Sequence, residues 1–181
     1  MMSASSAPEV WMRGPLPAYA PALMPIAYAL LQAREDVERV ATDVTAEELW
    51  QRPGNAASAG YHLQHLAGSL DRLLTYARGE SLDEAQLATL AQEGVACVSG
   101  PVLLSTVLAR IDRALDQVRR TAVEQLNEAR EVGRARLPST VLGLLFHAAE
   151  HSARHVGQLT TTLKVVRGLA SAGREPNSTS G

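Results

Sequence analysis

An all-α fold, an up-down-type four-helix bundle with short additional helices, is what three features of this 181-residue chain predict. Four long stretches carry apolar residues at the three-to-four spacing of an amphipathic helix. Long alternation of Val, Ile and Thr is missing, so no sheet is expected. The connections are short, which suits neighbouring antiparallel helices. Apolar residues make up 46% of the chain, enough for one core, so residues 9–172 are expected to form one domain. Residues 1–8 and 173–181 are small and polar, and are expected to be disordered tails.

The first helix is expected from about Pro25, which suits a first turn, to Thr42. Ile26, Leu30, Ala33, Val37, Val40 and Ala41 fall on one side of it. Thr45 followed by Glu48 forms a capping-box pattern that opens a short helical turn through Trp50. Arg52-Pro53-Gly54-Asn55 reads as a loop. The second long helix runs from near Ser58 to Arg78 and stops at Gly79, with Leu63, Leu66, Leu70, Leu73 and Leu74 on its apolar stripe. Ser81 and Glu84 suggest another capping box, opening a shorter helix that ends near Gly94. Gly100-Pro101 marks a break, and the third long helix follows from about Val102 to Asn127. Residues 128–136 read as a charged connection. Leu137-Pro-Ser-Thr140 is expected to begin the fourth helix, with Pro138 in its first turn and Gly168 ending it.

Composition excludes several functions. The formal charge is −2, and there is no basic block and only one Phe and two Trp, so no nucleic-acid partner is expected. Residues 15–32 carry no charge, but Pro15, Pro17, Pro21 and Pro25 fall within them, so they read as a turn-rich approach to a buried helix. No membrane association is expected. The single cysteine, Cys97, excludes an intrachain disulfide and suits a reducing cytoplasm; it is expected to be a small buried apolar residue. Trp11 and Trp50 are expected in core or interface packing, and Arg72 and Arg154 in salt bridges or solvent.

All five histidines lie in two clusters, His62 and His65 on the second helix and His147, His151 and His155 on the fourth. A neutral imidazole offers a lone pair to late first-row metals. Two histidines four apart on a helix stand one above the other and can hold one ion. A third ring from the other helix would complete a three-ligand site with open positions. His147 and His155 are too far apart along the axis, about 12 Å, to chelate together. Both His147–His151 and His151–His155 stay open as the pair. The first of these also matches the short HxxEH pattern, with Glu150 as base, whereas His151-Ser152 lacks the glutamate of HExxH. Ser69 and Gln158 are spaced to orient a ligand or substrate.

Several segments together resemble the DinB/YfiT-like superfamily of metal-binding four-helix bundles. They are His65-Leu-Ala-Gly-Ser69 with Asp71-Arg72, His151-Ser-Ala-Arg-His155-Val-Gly-Gln158, Val10-Trp11-Met-Arg-Gly14 and Glu48-Leu-Trp50-Gln-Arg-Pro53. The resemblance spans about residues 10–168. It implies metal ligands at His65, His151 and His155, a divalent ion such as zinc or nickel, and water at open positions. It leaves His62, Ser69, His147 and Gln158 as residues around the metal or facing substrate, and it names no catalytic residue. It also implies a small-molecule substrate, a low-molecular-weight thiol as cosubstrate of an S-transferase, or hydrolysis. Members are often homodimers. A non-catalytic, stress-related metal-binding bundle is the alternative.

Overall fold

The computed structural model describes residues 7–96 and 98–172. Most of both expected tails, and Cys97, lie outside them. The described chain is mostly helical. Short 3-10 turns at Val10–Met12 and Pro21–Leu23 lead into α1 (Met24–Ala41). Then come α2 (Ala46–Trp50), α3 (Ala59–Ala77), α4 (Glu84–Ala91), α5 (Gly100–Arg120) and α6 (Val141–Ala172). No described helix is long and apolar enough to cross a membrane.

The helix starts follow local chemistry. Thr45 caps α2 in a full capping box with Glu48. Ser58 caps α3 by accepting from the Tyr61 N–H. The box at α4 is built two residues later than its sequence suggests. Asp83, whose carboxylate is a charged acceptor, pairs with Gln86 instead of Ser81 with Glu84. Pro101 sits in the first turn of α5, so Gly100-Pro101 opens that helix rather than preceding it.

One expectation fails outright. Residues 129–140 form an antiparallel hairpin, β1 (Ala129–Val132) and β2 (Leu137–Thr140), with Val132 opposite Leu137 and Glu131 opposite Pro138. Pro138 is tolerated there because a two-stranded sheet has only edge strands. Gly133 and Arg136 turn the chain with φ of +67° and +50°. Arg130 Nε donates to Ala77 O at 2.9 Å, so the hairpin also caps the end of α3. Two further corrections follow from it. The fourth long helix begins at Val141, and α5 ends at Arg120, seven residues before Asn127. Leu126 keeps the helical rhythm and is buried, but it reaches the core from a turn. Gly168 is passed by α6, which continues to Ala172.

Four long helices share one core. α1 and α3 each pack on both α5 and α6. Leu30, Val37, Leu63, Leu66, Ile111, Leu145 and Leu159 are at most 1% exposed, the level at which a side chain contributes about 1.5–3 kcal/mol. Trp50 lies over α3 where Gly60 leaves room, since a Cβ at Gly60 would come within 2.5 Å of its ring. Trp11, by contrast, is 61% exposed. The α3–α6 seam carries the two histidine clusters onto facing surfaces.

Candidate metal centre

His65 on α3 and His151 and His155 on α6 converge, each offering one ring nitrogen, with all three nitrogens within 4.8 Å of one another. Helical spacing stacks His151 and His155, their ring centroids 4.5 Å apart. His65 reaches across the seam, and its Nε2 lies 3.0 Å from Nε2 of His151. Two nitrogens each about 2.0–2.1 Å from one zinc, at angles of about 90–110°, stand about 2.9–3.4 Å apart. The 3.0 Å separation therefore fits two nitrogens sharing a cation.

The electrostatics agree with this donor set. Burial, reinforced by the His151, His65 and His62 rings, pushes His155 down to about 3. Burial and then the neighbouring His65 and His147 push His151 down to about 4. Near neutral pH both rings are uncharged and keep a lone pair for a ligand bond. Nδ1 of His151 is buried without a hydrogen-bond partner among the described residues. Neutral bases facing one another are brought into register by a cation that takes their lone pairs.

The other singled-out residues separate. His62 is buried, and its Nδ1 lies 3.2 Å from Nδ1 of His155. Such a contact needs one N–H and one lone pair, so it couples the two tautomers. Burial and the adjacent His65 lower His62 as well. His147 stands one turn from His151, half exposed, with Nδ1 3.3 Å from Glu150. Glu150 is also bound by Arg154, so it is not aimed at the three-ring cluster. Ser69 donates to Leu66 O at 3.1 Å within its own helix. Gln158 is exposed and makes no hydrogen bond to the cluster.

Sequence reasoning missed Glu93 and Tyr61. Glu93 follows α4, and its Oε2 lies 2.6 Å from His65 Nδ1 while its Oε1 accepts from Arg72 at 2.7 Å. Burial pushes this carboxyl up, but the hydrogen bonds from His65 and Arg72 outweigh it and hold it below the ordinary carboxylate range. Tyr61 stacks on the His65 ring, nearly parallel at 11°. No periodicity links Glu93 to the histidines; the Gly94 after it is the one signal of a sharp turn there.

A cavity of about 390 Å³ opens between α3, α4 and α5. Gln64, Asp71, Arg72, Glu93, Leu103 and Arg110 are among its lining residues. None of the three histidines lines it, and it meets the cluster at Glu93 and Arg72.

Comparison with known proteins agrees with this geometry. No curated protein matches the chain. A family model described as the DinB superfamily matches residues 29–159, which run from within α1 to the middle of α6 and include all five histidines. The match covers well over half of the sequence, and the chain belongs to the DinB superfamily.

Proposed function

We propose that this chain is a divalent-metal-dependent enzyme built on a four-helix bundle, acting on a small molecule by thiol S-transfer. His65, His151 and His155 hold the ion, zinc or nickel, and leave coordination positions open. The observation that carries this reading is the convergence of three ring nitrogens within 4.8 Å of one another. A bound divalent ion lowers the pKa of a thiol or water and presents it as a nucleophile.

Thiol transfer is favoured over hydrolysis by the neighbouring carboxylates. Glu93 is committed to His65 and Arg72, and Glu150 to Arg154 and His147. Neither stands free to take a proton from water, whereas a thiol ionises at about 8.5 even unassisted. The 390 Å³ cavity beside Glu93 and Arg72 is of a size to take the organic part of a substrate.

The test compares metal-free and metal-loaded chain with a low-molecular-weight thiol and a halogenated nitroarene, and separately with an ester. Thioether formation that depends on the ion is expected. Ion-dependent ester cleavage alone would move the assignment to hydrolysis. Metal binding with no turnover in either assay would favour a non-catalytic, stress-related bundle. That second reading draws on His62, whose ring nitrogen is 3.2 Å from His155 and could close the site as a fourth ligand.

A further inference from the structure

Glu93 is held more tightly than its place in the sequence requires. It comes from the turn after α4, yet its side chain is only 5% exposed. A buried carboxylate is costly unless both charge and hydrogen bonding are matched. Here each oxygen has one partner, His65 Nδ1 for Oε2 and Arg72 Nη1 for Oε1. A carboxylate can only accept, so Nδ1 of His65 carries a hydrogen, and in the neutral ring Nε2 then keeps its lone pair. That Nε2 is the atom facing His151.

Two features of α3 fix where this carboxylate sits. Gln64, the residue before His65, clamps the turn by accepting from Gly94 N–H at 2.6 Å and donating to Val95 O at 2.9 Å. Gly94 allows the turn with φ of +91°. One turn along α3, Gly68 leaves a notch. A Cβ there would come within 2.5 Å of Glu93 Oε1 and 2.7 Å of Arg72 Nη1. Docking of α4 does not need Glu93, because Gln86 already ties its other end to Asp71 and Thr75.

We propose that Glu93 is a positioning residue for the metal centre: seated in the Gly68 notch against Arg72, it fixes the tautomer and direction in which His65 presents Nε2 to the ion. This rests on the metal reading above. It gives the turn after α4, seated against Gly68 and Arg72 of α3, a part in how tightly the ion is held. Hydrogen bonds behind metal-ligating histidines commonly carry 10–100-fold in affinity.

The test measures zinc affinity of the full chain by chelator competition, together with the metal-free Tm and the ring nitrogen spectrum of His65. Glu93→Ala is expected to lose about 10–100-fold in affinity. It should also mix the His65 tautomers in the metal-free chain. Glu93→Gln retains one accepting oxygen and should lose less. Gly68→Ala displaces only the ends of two flexible side chains and suits a helix better than glycine. Its better helix propensity offsets part of the cost of shifting the Glu93–Arg72 pair, so the metal-free chain should stay folded while zinc affinity falls about tenfold or more. The proposal is overturned if Glu93→Ala and Gly68→Ala bind zinc as wild type does, or if His65 keeps one tautomer without Glu93. Failure of wild type itself to bind zinc would instead overturn the metal reading, and this proposal with it.

Discussion

Zinc is expected to raise the Tm of the wild-type chain, and His65→Ala to abolish that rise while leaving the metal-free chain folded. A ligand bound only to the native state stabilises it by RT ln(1 + [L]/Kd), about 2.7 kcal/mol at one hundred times Kd. For a chain of this size each kcal/mol is worth about 2–4 °C, so zinc should raise the wild-type Tm by roughly 5–11 °C. The His65 side chain is 20% exposed and lies outside the apolar core, so its truncation removes little packing. The loss of its bond to buried Glu93 costs about 1–3 kcal/mol, which lowers the metal-free Tm without unfolding the chain. His151→Ala and His155→Ala should behave alike, since the three nitrogens form one set. Ser69→Ala and Gln158→Ala serve as controls and should keep the zinc-dependent shift, because Ser69 bonds its own helix and Gln158 is exposed. Differential scanning fluorimetry with and without zinc reads all five variants. A full zinc shift in His65→Ala would remove that residue from the site.

Leu145→Ala should give the converse result, a large loss of stability with the ligand set intact. Leu145 is 0% exposed on α6. Its truncation removes buried apolar surface and opens a cavity that the helices only partly close, at a cost of about 2–5 kcal/mol. The metal-free Tm should fall by roughly 4–20 °C. Zinc stoichiometry measured well below that Tm should stay at one per chain, because none of the three histidines is altered. The pair of variants separates fold from site. One is expected to remove the ion and spare the helical fold, the other to weaken the fold and spare the ion. Loss of zinc in Leu145→Ala at a temperature where circular dichroism shows native helix would mean that the site depends on exact core packing.

The long helices and the histidine pair were readable because helical periodicity is a property of nearest turns. Spacing alone stacks His151 over His155, and an apolar stripe alone places α3 against the core. The hairpin was hidden because its stability comes from elsewhere. Leu137-Pro138 carries a helix-starting pattern, but pairing with β1 and the Arg130 bond to Ala77 hold it as a strand. Leu126 misled for a related reason, since burial at helical spacing does not require helix. Glu93 was invisible because its role lies in a tertiary contact with His65, 28 residues away. Spacing permits His147–His151 and His151–His155 equally; the family resemblance implies the second pair, and it is this pair that His65 meets across the seam.

X-ray absorption at the zinc edge of the loaded wild-type chain tests the central claim most directly. An open three-histidine site predicts three imidazole nitrogens at about 2.0–2.1 Å together with at least one water-type oxygen. In His65→Ala the same spectrum should lose one imidazole. Four imidazoles and no oxygen in the wild type would mean that His62 closes the site, and an imidazole count unchanged by His65→Ala would place the ion elsewhere.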